Sequence, residues 1–355
     1  MTEPENNNEE KEPGQTEESG ELQEALSAEQ LAEAAEITKN DDELRKKTYP
    51  ARLWLYMRQR FKPEENIPLV LFLFFSQYLL FSHLLGIASK AELFTLKNLL
   101  IGLAVLGFFF NLRVYDEFKD LEQDRINFPE RIVVRGIFTL EELKILGILT
   151  FIYELVISLY VGKELFFMFL IVALYSFLMA KEFFCGEWLE PKLLLYAASH
   201  MVIIPLIAIY CAVSVSPQVF EKIQYLLSVM FTFFFFVFSL EAGRKIRTPE
   251  DERPNYTTYS KIMGMKGALI FVFVLQALAF LCYIPVFLLK NSSGAMMYGT
   301  GSFCLLGFSY LFTIFLGVKV LLNPTVKGAR NLEKTCPLPF ILFLLTTIWN
   351  FWPVV

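Results

Sequence analysis

Histidine is almost missing from this chain. Its 355 residues hold two, His83 and His200, which argues against histidine-based metal chemistry. Cysteine is scarce and scattered. The five copies (Cys185, Cys211, Cys282, Cys304, Cys336) show no CxxC spacing, so a disulfide framework or a thiolate metal site is not expected. There is no Walker loop, no GxGxxG between a strand and a helix, no HExxH and no serine nucleophile elbow. Those absences exclude the common nucleotide-binding, zincin and serine-hydrolase readings. The first residues are acidic and lack an apolar core segment, so no signal peptide is expected.

Apolar and aromatic residues are abundant instead. Hydrophobic residues make up 55% of the chain and aromatics 16%, with 37 Phe and a positive mean hydropathy. A soluble chain of this length rarely reaches such values, so the composition predicts an integral membrane protein. The formal charge of −5 conceals a split. Residues 1–43 carry fifteen Asp/Glu against Lys11 and Lys39, a net of −13, and the rest of the chain carries +8. That first segment has no aromatic residue and buries too little apolar surface to offset ordering entropy. It is expected to be a disordered acidic tail, followed from residue 44 by one transmembrane domain.

From residue 67 long apolar runs alternate with short charged connections. Nine spans are expected, near 67–88, 98–115, 140–160, 165–181, 192–214, 220–240, 267–289, 298–322 and 336–354. Each is about long enough to cross roughly 30 Å of hydrocarbon at about 1.5 Å per residue. Unsatisfied backbone groups are too costly in lipid for anything but helices here. With the amino terminus inside, five Lys fall on outer connections (Lys90, Lys97, Lys163, Lys222, Lys290) against 25 inner bases. That bias predicts a cytoplasmic amino terminus.

The second span runs into DEFKDLEQD (116–124), which places Asp116, Asp120 and Asp124 four residues apart on one helix face. Three like charges on one face repel unless a cation neutralises them. One or two carboxylates with phosphate oxygens and water suit Mg²⁺. The run continues RINFPERIVVRG, with Arg131 seven residues after Asp124 and a closing Gly136. This pattern resembles the first motif of the UbiA superfamily of intramembrane prenyltransferases, Asn-x-x-x-Asp-x-x-x-Asp followed by Arg-Pro-Leu/Ile-x-x-Gly. Asp120 and Asp124 match its two aspartates, and Arg131 and Gly136 its arginine and glycine. Asp116 stands where the family has Asn, and Ile132 where it has Pro.

The resemblance implies an all-α fold of nine transmembrane helices around a central cavity, with a second acidic motif after helix six. The connection there reads SLEAGRKIRTPEDERPNYTTYSKIMG. Thr258 and Gly264 fit the family's Thr-Leu-x-x-x-x-Gly-like ending, but no Asp-x-x-x-Asp precedes them. The second metal ligand is therefore left among Glu241, Asp251 and Glu252. Glu241 is favoured by its place at the helix end, and Glu252 by counting back from Thr258. The implied reaction is Mg²⁺-dependent transfer of an isoprenoid chain from a prenyl diphosphate to a hydrophobic acceptor. Asp116, Asp120, Asp124 and Glu241 would be its catalytic acids. Arg131, Lys181, Arg244 and Arg247 would hold the diphosphate; Lys181 follows YSFLMA, similar to the family's Tyr-Ser…Lys pattern. The expected partners are that donor, the acceptor and the bilayer of a prokaryotic inner membrane, with no nucleic acid. A transporter, and a catalytically silent lipid-binding relative, are the alternatives. Glu154, inside the third span, reads as a helix–helix contact before it reads as a catalytic acid.

Overall fold

The computed structural model describes residues 40–89, 93–252 and 257–353. Among these residues nine helices are long and apolar enough to cross a membrane: α1 (Pro63–Leu84), α2 (Leu96–Lys119), α3 (Leu140–Val161), α4 (Lys163–Ala180), α5 (Leu193–Val215), α6 (Pro217–Arg244), α7 (Tyr259–Cys282), α8 (Thr300–Leu322) and α9 (Val326–Asn350). Every expected span has its helix. The ends differ: α2 runs on to Lys119 rather than 115, and α7 begins at Tyr259 rather than 267. Hydropathy marks where lipid stops, whereas a nucleated backbone ladder continues through charged helix formers.

Threonine sets four of the starts; Thr325 accepts the Gly328 N–H at 3.1 Å ahead of α9. Thr95, Thr139 and Thr258 each accept a backbone N–H from three residues on, at 3.3, 3.2 and 3.2 Å. Thr139 and Glu142 complete a reciprocal capping box. In α5 the helix breaks at Val202, between Leu193–Met201 and Ile203–Val215. Pro205 has no N–H to give the carbonyl one turn back, which accounts for the break. The second half of α5 is buried along nearly its whole length and packs on α1, α4 and α6. It is the axis of the bundle; α3, α4 and α8 leave most of their apolar surface for lipid.

One polar clamp lies deep between α2 and α3. Asn111 Nδ2 donates to Glu154 Oε1 at 2.9 Å, and Thr150 donates to Asn111 Oδ1 at 3.1 Å. A Cβ at Gly107 would lie 2.7 Å from Glu154 Oε1, so glycine there is what lets the two helices close over the acid. The helix–helix reading of Glu154 fits this geometry.

The acidic tail expected over residues 1–43 falls almost wholly outside the described residues. Residues 40–45 are helical and Asp41 is buried in an ion pair with Arg135. Arg45 also donates to the Arg135 carbonyl. The basic flank turns its arginines inward: Arg52 holds both carboxylate oxygens of Glu142 and the Ile137 carbonyl, while Arg60 reaches Glu117. The helix Tyr49–Tyr56 thereby packs Tyr56 against Phe138 (5.3 Å, stacked) over a small core that includes Ile132, Val133 and Ile137. Removing residues 1–39 is expected to leave turnover within about threefold, under about 1 kcal/mol of barrier. Extending the cut to residue 47 takes away Asp41 and Arg45 and should lower it well beyond that. Rates of the two truncated proteins, each checked for monodispersity, decide this.

Candidate active site

α2 ends at Asp120, whose own backbone leaves the helical region while its N–H still bonds Asp116 O at 2.8 Å. A short helix, Leu121–Asn127, follows, and Asp124 N bonds Asp120 O at 2.8 Å. The four-residue hydrogen-bond spacing therefore survives the break, and with it the acidic stripe. The three side chains are not equivalent. Those of Asp116 and Asp120 are 41% and 45% exposed and share Lys119 Nζ, at 4.0 and 3.9 Å. Asp124 is buried, with Oδ2 paired to Arg131 and 3.7 Å from Arg60 Nη2.

Asp120 feels this crowding. Burial, then the neighbouring Asp116 and Asp124, push its carboxyl up to about 6 despite Lys119 beside it. Burial and the proximity of Arg60 pull Arg131 below the ordinary arginine value, and its guanidinium lies 3.9 Å from the Phe128 ring centroid.

The loop after the stripe closes on the matching Gly136 and accommodates the departure at Ile132. Gly136 has φ +65°, a left-handed conformation that costs glycine nothing. Ile132, unlike proline, has an N–H, and Gln59 Oε1 accepts it at 2.8 Å. Gly264 in the second segment is also left-handed, at φ +70°.

α6 brings Glu241 to the same place. Glu241 is paired with Arg244 and with Lys245 Nζ at 2.9 Å. All three line one cavity of about 580 Å³, together with Asp116, Asp120, Asp124 and Arg131. Its walls continue into Leu112, Met179, Ile203, Ile204 and Val237, so a charged mouth opens onto an apolar interior.

Several expected residues do not meet there. Lys181 is exposed and off the cavity wall. The chain turns at once into three left-handed residues, Glu182, Phe183 and Phe184, and this turn presents Glu182 to the cavity instead. Asp251 pairs with Arg330 at 2.9 Å and Arg247 at 3.5 Å. Glu252 accepts from Thr258 Oγ1. Neither lines the cavity. Arg247 does, but Glu333 holds its Nη1 at 3.0 Å. Of the three candidates for the second acidic ligand, Glu241 alone lines the cavity with the aspartates; Asp251 is held by Arg330 and Glu252 by the hydroxyl of Thr258, the cap of α7.

Two cavity residues, Arg60 and Tyr196, and Glu117, the buried partner of Arg60, had no motif to announce them. Arg60 looked like one of many inner-side bases, Glu117 was masked by the aspartates around it, and Tyr196 sat in an ordinary apolar run. Lys119 donates to Tyr196 Oη at 2.8 Å, tying α2 to α5 across the cavity.

Among the described residues no three of His, Cys, Asp and Glu cluster closely enough to hold a metal alone. The chemistry still suits Mg²⁺, which keeps waters and completes its shell with phosphate oxygens around one or two carboxylates. Asp116 and Asp120 are half-exposed and mutually repelling, with Lys119 near both and Arg113 Nη1 3.6 Å from Asp116, so their carboxylates suit a cation shared with a phosphate.

Comparison with known proteins agrees with this geometry. The UbiA prenyltransferase family matches residues 78–319. A solved structure of a digeranylgeranylglyceryl phosphate synthase superposes with a TM-score of 0.58 at 20% identity, covering 84% of this chain and 98% of the other. The apo structure of a UbiA homolog from Aeropyrum pernix K1 gives 0.53 at 17% identity, covering 79% and 96%. No curated protein matches. With most of its length matched, an acidic stripe over a membrane cavity and nine spans, the chain belongs to the UbiA prenyltransferase family.

Proposed function

We propose that this protein transfers an isoprenoid chain from a prenyl diphosphate to a hydrophobic acceptor within the membrane, with Mg²⁺ as cofactor. One observation carries the reading: the ends of α2 and α6, far apart in sequence, bring Asp116, Asp120 and Glu241 to one cavity whose depth is apolar. Asp116 and Asp120 would hold the ion, with Glu241 on the facing wall. Bound Mg²⁺ neutralises charge on the departing diphosphate. Arg131 and Arg244 suit the phosphate oxygens because a guanidinium donates through two parallel N–H groups. Lys119 and Lys245 add positive charge at the mouth. The apolar interior takes the prenyl chain and keeps water from the electrophilic carbon once its bond to oxygen weakens. On the inner-side excess of Lys and Arg, the charged mouth faces the cytoplasm of a prokaryotic cell.

The test is a nanodisc assay with geranylgeranyl diphosphate and membrane lipid extract. Diphosphate release and chain transfer are expected with Mg²⁺ and not with EDTA; no donor consumption under either condition would end this reading. A pH dependence follows. In the metal-free protein Asp120 is protonated below about 6, and the ion needs it ionised. Binding therefore releases a proton at low pH. Lowering the pH from 7 to 5 should weaken Mg²⁺ binding in the presence of the donor by about tenfold, as calorimetry would measure.

A further inference from the structure

Where the UbiA motif has a proline, this chain has Ile132. A proline there would fix its own φ and restrict the backbone of the residue before it, Arg131. Without that ring, the backbone that sets Arg131 on the cavity wall has to be held from outside. One side chain does this. Gln59 Nε2 donates to the Glu130 carbonyl at 3.2 Å, and Gln59 Oε1 accepts the Ile132 N–H at 2.8 Å. A carbonyl only accepts and a backbone N–H only donates, so the two contacts also fix which end of the amide is which.

The two groups flank Arg131. The Glu130 carbonyl belongs to the peptide unit that enters the Arg131 Cα, and the Ile132 N–H to the unit that leaves it. Rotations about φ and ψ of Arg131 are the only soft motions between those planes. Each plane is tied at its other side as well: Arg131 N–H donates to Phe128 O at 3.1 Å, and Arg131 O accepts from Arg135 N at 2.9 Å. With one amide pinning both planes, the Cα–Cβ bond of Arg131 has a fixed direction. The guanidinium that follows from it pairs with Asp124 and lies over the Phe128 ring. Gln59 sits in the turn Met57–Phe61, where the next residue, Arg60, reaches Glu117 and Asp124. Consecutive residues thus hold the backbone of Arg131 and the carboxylate it pairs with. Both precede residue 78, where the family match begins.

We propose that Gln59 is the positioning residue for Arg131, doing from outside the loop what a proline at 132 would do from within. It touches no substrate. It keeps the guanidinium where diphosphate oxygens arrive, and in this it rests on the prenyl-transfer reading above.

The test uses full-length protein in nanodiscs, with Gln59→Leu, Arg131→Ala, Gln59→Leu/Arg131→Ala and Gln59→Leu/Ile132→Pro, each checked for monodispersity. Leucine nearly keeps the size of glutamine and makes neither contact. Binding of geranylgeranyl diphosphate with Mg²⁺ should weaken about tenfold in Gln59→Leu. It should be no weaker in Gln59→Leu/Arg131→Ala than in Arg131→Ala, because a residue that acts through Arg131 then has nothing to position. Proline removes the N–H that Gln59 served and restrains Arg131, so Gln59→Leu/Ile132→Pro should return to within about threefold of the parent protein. Unchanged binding in Gln59→Leu, the same loss again on top of Arg131→Ala, or no recovery with proline would overturn the assignment. Hydrogen exchange supplies a readout that needs no ligand. The Arg131, Arg135, Gly136 and Ile137 amides, all bonded within the loop, should exchange about fivefold faster or more in Gln59→Leu. Proline should slow them again, and rates equal to the parent protein in Gln59→Leu would overturn the bracket. If the parent protein binds no diphosphate, prenyl transfer fails, and the exchange rates still decide whether Gln59 holds Arg131.

Discussion

Asp120→Ala protein should fold normally and lose transfer activity by about a hundredfold or more. The size follows from removing a group that acts on developing charge, typically 10²- to 10³-fold, or about 3–4 kcal/mol. The intact fold follows from the geometry. Asp120 stands at the end of α2 with a 45%-exposed side chain, and its ion-pair partner is Lys119 at 3.9 Å. An exposed pair of that kind contributes about 0–1 kcal/mol. Asp116→Asn should be tolerated, because it keeps one oxygen toward the cavity and restores the family's usual residue. Asp124→Ala should behave differently from both: it strands Arg131 and Arg60 and should lower the melting temperature as well as the rate. Turnover and thermal melts on the three variants separate these outcomes, and full activity in an Asp116→Ala/Asp120→Ala double variant would remove the metal-site assignment.

The helices were legible because lipid imposes one rule on every span: an apolar run long enough to cross. The stripe was legible because four-residue spacing is local. What escaped were relationships that no local pattern encodes. Nothing about Asp124 in the sequence distinguishes it from Asp120; only the fold brings two arginines against it. Glu241 and Glu252 stood equal until α6 carried one to the cavity and Thr258 engaged the other. Lys181 fitted the family's Tyr-Ser…Lys pattern but lies one residue past the end of α4, where three left-handed residues redirect the chain.

Arg60→Ala is the second large effect, and it should be felt first in stability. Arg60 comes from the turn Met57–Phe61, ahead of residue 78 where the family match begins. Its side chain is 11% exposed and pairs with Glu117, itself 2% exposed, while also approaching Asp124. Truncating one member of a buried pair leaves the other charge without compensation, at about 3–5 kcal/mol. The attraction lost matters less than the desolvated Glu117 left behind. The double variant Arg60→Ala/Glu117→Gln should therefore be more stable than Arg60→Ala alone, because a neutral amide removes the stranded charge. Its activity should stay low even so, since Asp124 and Arg131 would still lack their third partner. If Arg60→Ala melts with the parent protein, the buried network is not what holds the amino-terminal turn to the site. If the double variant regains both stability and rate, Arg60 serves packing alone, and the segment before the family match contributes scaffolding without touching the chemistry.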